Sequence, residues 1–266
     1  MLRHQEVETA RWRDSLVSAS RDVPAEAAVA IVCNGSSHAV MMATPADLED
    51  FAFGFALSEN LITSCDEVER YEVVEHQKGA EARLWLVERQ ARKLVARRRA
   101  MAGPSGCGLC GIESLDEALR PTRAVASTLT MSRSEVLFAM SRLYPAQTLN
   151  AVTHAVHAAG LWDADRGTLI VREDVGRHNA LDKLIGATAR AGVKTGRSAL
   201  LLTSRVSVEM VQKAAVLGVG ILVAVSAPTT LAIQIAEEAG MTLCAIARAD
   251  GFEVFTHAHR IVADAG

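Results

Sequence analysis

SALLLTSRVSVEMVQKAAVLGVGILVAVSA, residues 198–227, changes its period twice. SALLLTS (198–204) is a near-continuous apolar run of strand length, as expected for a strand buried on both faces. VEMVQKAAVLG (208–218) is rich in helix formers and stops at Gly218. GILVAVSA (220–227) is a second apolar strand. Strand, helix and strand in succession, with both strands apolar throughout, predict a parallel pair joined by a crossover helix. The pattern extends both ways. GTLIVRED (167–174) and NALDKLIGATARAG (179–192) precede it as strand and helix, with Asn179 expected at the N-cap and Asp182 at the capping-box position. TTLAIQIAEEAG (229–240) and TLCAIARA (242–249) follow, and FEVFTH (252–257) closes the series. Three consecutive β-α-β crossovers predict an α/β domain with a mostly parallel sheet and helices on both faces.

Working back toward the N-terminus, TMSRSEVLFAMSRL (130–143) places Val136, Leu137, Met140 and Leu143 on one side of a helix, and TLNAVTHAVHAAGLW (148–162) reads as a second one. AAVAIVCNG (27–35) and SHAVMMAT (37–44) predict a hairpin turning at Asn34-Gly35. TPADLEDFAFGFALSENLI (44–62) predicts a helix starting at Thr44, with Pro45 in its first position. VERYEVVEH (68–76) and ARLWLVER (82–89) are expected to be two further strands of an antiparallel sheet. The expected organisation is an N-terminal α+β domain over 1–101, a Cys loop and linker over 102–127, and a C-terminal α/β domain over 128–266.

A chain of 266 residues, 50% hydrophobic and 22% charged, is ordinary for a globular protein. The net charge of −3 and pI of about 6.3 suggest neither nucleic acid nor a membrane surface as partner. The N-terminus lacks the apolar stretch of a signal peptide, and the most hydrophobic segment, 220–227, is too short to span a bilayer. The five cysteines lack the spacing of a disulfide scaffold. Cys33, Cys65 and Cys244 lie in or beside apolar runs and read as small buried hydrophobes. A reducing, cytoplasmic setting is expected, in which a lone C-x-x-C serves metal binding or chemistry.

That motif lies in AGPSGCGLCGIESLDEAL (102–119), where Cys107 and Cys110 are surrounded by Gly106, Gly108 and Gly111. A structural zinc site needs four ligands. The chain has no second C-x-x-C, and His154 and His157, at i and i+3 on the expected helix, are the remaining pair. A thioredoxin-type site would open a helix after a strand. Glycine around both sulfurs instead suggests a mobile thiol, suited to accepting sulfur as a persulfide and passing it on. Arg83, Arg89, Arg92, Lys93, Arg97, Arg98 and Arg99 crowd the preceding segment, where positive charge would favour the thiolate.

Ligands of a parallel sheet sit beyond the carboxyl ends of its strands, beside helix N-termini that favour anions. The turns there bring Glu173, Asp174, Arg177 and His178; Thr203, Ser204 and Ser207; and Arg248 and Gly251 to one edge. His178 is a candidate acid or base. No G-x-G-x-x-G follows the first strand and no P-loop motif is present, which removes the common nucleotide-binding readings.

GCGLCG (106–111), REDVGRHNALDKL (172–184), SRVSVEMVQKA (204–214) and AVSAPTTLA (224–232), in this order, resemble the formate dehydrogenase accessory sulfurtransferase family, FdhD. The resemblance implies a sulfurtransferase that takes sulfur from a cysteine desulfurase as a cysteine persulfide. It would deliver that sulfur to the bis(molybdopterin guanine dinucleotide) molybdenum cofactor of formate dehydrogenase. Cys107 would carry the persulfide with Cys110 assisting, in a homodimer. The family's cofactor-binding stretch falls on Ile246, Ala247, Arg248, Ala249, Asp250 and Gly251, with GDP-like nucleotides as mimics. This chain reads IARADG there, keeping Arg248 but placing Asp250 in a turn that often reads K/R-P-G-R. The resemblance also implies a cytidine-deaminase-like fold. The deaminase motif itself is missing, because no H-x-E precedes the cysteines and Pro104 does not adjoin Cys107.

Overall fold

The computed structural model describes residues 1–92, 94 and 122–264. Cys107, Cys110 and nearly all of the expected Cys loop lie outside the described residues.

The chain opens with β1 (His4–Trp12) and β2 (Leu16–Pro24), paired antiparallel in a hairpin of their own. A four-stranded sheet follows, built from β3 (Ala27–Cys33), β4 (Ser36–Ala43), β5 (Val68–His76) and β6 (Gly79–Leu86) in the order β4-β3-β6-β5. The β3–β4 turn runs through Asn34 and Gly35 with φ of 49° and 75°, the double positive φ of the hairpin turn that Asn-Gly favours. The central pair β3–β6 is parallel, which corrects the antiparallel sheet expected from sequence. The intervening helix α1 (Leu48–Ser58) crosses back over the sheet, and a parallel neighbour is what such a crossover delivers. α1 starts after Asp47 rather than at Thr44, and its Phe51, Phe55 and Ala52 fill the core under Val29, Ile31 and Leu84.

The second sheet has six strands in the order β13-β12-β11-β10-β8-β9. β8 is His157–Asp163, β9 Thr168–Asp174, β10 Ser198–Leu202, β11 Ile221–Ala224, β12 Thr242–Arg248 and β13 Gly251–Val254. β10, β11 and β12 are mutually parallel. β8 is antiparallel to both β10 and β9, so β9 runs the same way as β10 without touching it. The expected helix over 148–162 is therefore corrected. Helix α3 (Thr148–Thr153) ends where His154 takes a left-handed conformation (φ 53°), and 157–163 inserts as β8 between β9 and β10. Five of its seven residues are buried, so the segment carries no period to separate strand from helix.

Helices cover both faces. α4 (Arg177–Arg190), α5 (Val208–Leu217) and α6 (Thr230–Glu238) lie over Leu200, Leu202, Leu222, Leu243 and Ala245. On the other face α2 (Arg133–Leu143) lies over Leu201, Ile221, Val223 and Cys244. Alternate residues of each central strand thus face opposite layers, and uniform apolarity is the consequence. α2 begins with a complete capping box between Ser132 and Glu135. β7 (Met131–Ser132) pairs parallel with β14 (Ile261–Val262), tying the chain's end to the start of α2.

α1 and α4 cross with their backbones in contact at Gly54 and Gly186. Leu57 packs against the cores of both halves. Among the described residues, no helix is long and apolar enough to cross a membrane.

The loop into β5 is held by Glu67. Its carboxylate accepts from the Thr63 backbone N–H at 2.6 Å, the Thr63 hydroxyl at 3.1 Å, and the side chains of Arg89 and Gln90. Burial alone would raise its pKa, but these donors outweigh burial and bring it from 4.5 to about 2. A carboxylate with a lowered folded-state pKa stabilises the fold fully above its unfolded value. That stabilisation is lost as pH falls from about 4.5 toward 2. Glu67→Gln is expected to cost about 2–3 kcal/mol at neutral pH and clearly less near pH 3. Urea unfolding at the two pH values measures the difference; an equal cost at both would contradict it.

Candidate functional site

The carboxyl ends of β9, β10, β11 and β12 open on one edge of the six-stranded sheet, and the N-terminus of the reversed strand β8 joins them there. The turns along this edge are bonded neighbour to neighbour. The Thr203 N–H donates to the Ala158 carbonyl at 3.1 Å, and its hydroxyl accepts from the Ala158 N–H at 2.8 Å. Val206 N–H donates to the Ala227 carbonyl, and Thr229 N–H to the Val206 carbonyl. Arg248 donates to the carbonyls of Val225 and Ala247. The result is a continuous rim in which the N-termini of α4 and α5 carry no side-chain cap.

Expected site residues fall into two groups along this rim. Glu173 and Asp174 are buried and their carboxylates are spent inside the protein. Glu173 accepts from the N–H groups of Leu149 and Asn150 at 2.9 and 2.8 Å, capping α3. Asp174 is wholly buried, 2.6 Å from the Lys183 ammonium, and accepts from the N–H of Thr44 and of Gly176 and from Asn179 Nδ2. Asn179 is not the N-cap of α4; Gly176 is, and Asn179 bridges Asp174 and the Met42 carbonyl. Asp182 forms no capping box; it is buried between the Ser58 hydroxyl at 2.7 Å and the Lys213 ammonium at 2.6 Å. These acids fix the shape of the turn. The buried Ser204 hydroxyl donates to the Arg205 carbonyl at 3.0 Å.

Arg177 and His178, the first two residues of α4, are half-buried. Arg177 Nε and His178 Nε2 are enclosed and make no hydrogen bond. His178 Nε2 stands 3.6 Å from Glu209 on α5. Burial holds the His178 pKa below its ordinary value, and Arg177 adds to that effect. Burial and Arg177 do the same to His157. His157 is the residue that sequence reasoning misplaced. Read as a zinc-ligand candidate on a helix beside His154, it stands instead on β8, opposite Asp174 in the β8–β9 register. Glu209 was not singled out at all; its place 3.6 Å from His178 follows only from α4 and α5 lying side by side. Among the described residues, no group of three His, Cys, Asp or Glu side chains is placed to hold a metal.

The stretch 246–251 ends β12 and turns into β13. Ile246 has φ 53° where the β12–β13 register shifts, and such a bulge re-aims the strand end. Ala247 is buried, whereas Arg248, Ala249 and Asp250 are exposed; the Asp250 carbonyl accepts from Arg133 at 2.7 Å. Gly251 has open space around its α-carbon. β12 lies four strand positions from β9, about 19 Å at the usual spacing. The Arg177–His178 corner and the Arg248 corner thus mark the two ends of one long rim.

The basic segment before the Cys loop is partly neutralised. Arg83 pairs with Glu81 at 2.7 Å, Arg89 with Glu67 at 2.6 Å, and Arg92 with Glu88. Lys93, Arg97, Arg98 and Arg99 lie outside the described residues. Cys33 and Cys244 are buried, and burial pushes the Cys244 thiol up to about 12. Cys65 is half-buried, and burial raises its pKa as well. Burial thus disfavours the thiolate of Cys65 and of Cys244.

A sequence model of the FdhD/NarQ family matches residues 24–262. The chain is 49% identical to the "Sulfur carrier protein FdhD" of Agrobacterium fabrum, covering 96% of this chain and 94% of that one. It is 51% identical to the protein of the same name from Brucella abortus, over 91% of each chain, and 45% identical to that of Cupriavidus necator, over 97% and 90%. Its fold is similar to the crystal structure of a putative formate dehydrogenase accessory protein from Desulfotalea psychrophila. The TM-score is 0.76 at 24% identity, over 97% of this chain and 99% of that one. A match over most of the chain, by sequence and by relatives near half identical, places it: the chain belongs to the FdhD/NarQ family.

Proposed function

We propose that this protein is a cytoplasmic sulfurtransferase. It carries sulfur as a persulfide on Cys107, from a cysteine desulfurase to the bis(molybdopterin guanine dinucleotide) molybdenum cofactor, in the service of formate dehydrogenase. The observation that carries this reading is the rim. Arg177, Arg205 and Arg248, with His157 and His178, border the carboxyl edge of the sheet beside the N-termini of α4 and α5. Such an edge fits a long ligand bearing phosphates, and a guanine dinucleotide cofactor is one. The names of the relatives support the sulfur half of the reading.

A single transfer balances with the two thiols alone, and a cellular thiol reductant returns the resulting disulfide to thiols before the next. A Cys107 thiolate attacks the donor's persulfide and takes its terminal sulfur, releasing the donor thiolate. Attack by the Cys110 thiolate on the inner sulfur of the Cys107 persulfide then closes a Cys107–Cys110 disulfide and releases the terminal sulfur as hydrosulfide. The pair of thiols supplies the two electrons. The rim's contribution is to hold the acceptor by its phosphates and guanine rings. Two copies of the chain are expected to act together as a homodimer.

Incubation with a cysteine desulfurase and cysteine, followed by intact-mass and peptide analysis, tests the carrier. One added sulfur atom, mapping to Cys107 and removed by a thiol reductant, is expected. No sulfur gained by the wild type would leave a non-enzymatic cofactor chaperone as the better reading, and sulfur retained in Cys107→Ala would overturn the assignment of the persulfide to Cys107.

A further inference from the structure

The Arg177–His178 corner contains more ionisable groups than phosphate binding requires. Three side chains able to carry positive charge converge on the first turn of α4: Arg177 and His178 from that turn, and His157 from the neighbouring β8. Only the guanidinium is permanently charged. Arg177 Nε and His178 Nε2 are enclosed yet unbonded, an expensive arrangement unless a ligand completes it.

Resting on the reading of the rim as an anion site, we infer that this corner binds a dianionic phosphoryl group together with a proton: the group docks at Arg177, and His178, with His157 as a second acceptor, becomes protonated as it binds. The local charges favour this order. Facing His178 are Arg177 and Asp182 from α4, and Glu209 and Lys213 from α5. Asp182 and Lys213 neutralise one another at 2.6 Å, and Glu209 accepts from the Ser207 hydroxyl at 2.6 Å. Facing His157 are Arg177 and Asp174, and Asp174 is neutralised by Lys183 at 2.6 Å. Burial first, and the Arg177 charge after it, hold both imidazole pKa values below their ordinary value while the site is open, with Asp174 opposing at His157 and Glu209 at His178. A dianion reverses that field, and an opposite charge at close range raises an imidazole's pKa. By linkage, a ligand that raises the pKa of a group on the protein takes up protons from solvent and binds more tightly as pH falls.

Calorimetric titration of GDP into the full chain at about pH 7.5 tests this, because the terminal phosphate, with its last pKa near 6, is by then almost fully ionised. The experiment is repeated in buffers of different ionisation enthalpy. The slope of observed enthalpy against buffer enthalpy reads the protons bound. Uptake of about one proton per GDP is expected, with affinity rising up to about tenfold from pH 8.5 to 7.5. His178→Gln should still bind GDP while taking up less than half as many protons, and His157→Gln/His178→Gln close to none. GDP binding with no proton uptake, or with unchanged uptake in the double variant, would overturn the inference and leave the anion rim standing. Failure of the wild type to bind GDP would overturn the rim itself.

Discussion

Gly186→Ala is expected to destabilise the fold severely, although alanine favours a helix over glycine by about 1 kcal/mol. Propensity and packing make opposite predictions here, and the geometry decides between them. A β-carbon at 186 would lie 1.8 Å from the Asp50 carbonyl oxygen, 2.7 Å from its carbon and 2.8 Å from the Gly54 nitrogen. At Gly54 the corresponding distance to the Asp182 oxygen is 1.7 Å. These are backbone atoms, with no rotamer to relieve the overlap. α1 and α4 would have to separate by roughly an ångström or more, in an interior that tolerates little change of volume. Separation also pulls apart the Ser58–Asp182 hydrogen bond at 2.7 Å and the Arg172–Asp50 bond at 2.9 Å, which join the two halves beside the crossing. A loss beyond about 4 kcal/mol is expected, a large part of a typical domain's total stability of about 5–15 kcal/mol. Circular dichroism and urea unfolding check it; a variant as stable as the wild type would mean that the helices do not meet there.

Lys183→Met is expected to cost about 3–5 kcal/mol. Lys183 is wholly buried on α4, with its ammonium 2.6 Å from Asp174, donating to the Thr44 carbonyl at 2.8 Å and near the Phe51 ring. Burial presses its pKa down and Asp174 pushes it back up. Methionine fills the same space and leaves Asp174 as a buried carboxylate without its counter-ion. The penalty is chiefly that stranded charge, so Asp174→Asn/Lys183→Met should recover about 1–2 kcal/mol relative to the single variant. Denaturant unfolding of Lys183→Met, Asp174→Asn and the double variant gives the coupling energy. A single variant within about 0.5 kcal/mol of wild type would contradict the buried pair. Because Asp174 also holds Gly176 and Asn179, the turn presenting Arg177 should loosen at the same time.

The C-terminal sheet was legible because β10, β11 and β12 are apolar on both faces and their helices stop at or just before a glycine. Where period fails, so did the reading. β8 is nearly all buried and lacks alternation, and nothing local says that it inserts between β9 and β10. β1 and β2 were missed because their exposed residues include charged ones and carry little apolar pattern. The candidate rim followed from topology: carboxyl ends of parallel strands gather ligands wherever they occur. The roles within it did not follow. Glu173 and Asp174 read as ligand groups beside Arg177, yet Glu173 is held by Leu149 and Asn150 and Asp174 by Thr44 as well as by nearby Gly176, Asn179 and Lys183. His157 and Glu209 reached the site by tertiary packing, which no spacing in the chain encodes.

The carrier claim is tested most directly by moving sulfur through the whole path. Protein loaded by a cysteine desulfurase with isotopically labelled sulfur, then freed of donor, is mixed with sulfur-depleted cofactor and formate dehydrogenase lacking it. The account predicts that label leaves Cys107, appears on the cofactor and restores formate oxidation, and that Cys107→Ala does neither. Activation by Cys107→Ala equal to wild type, or activity restored while the label stays on the protein, would contradict it.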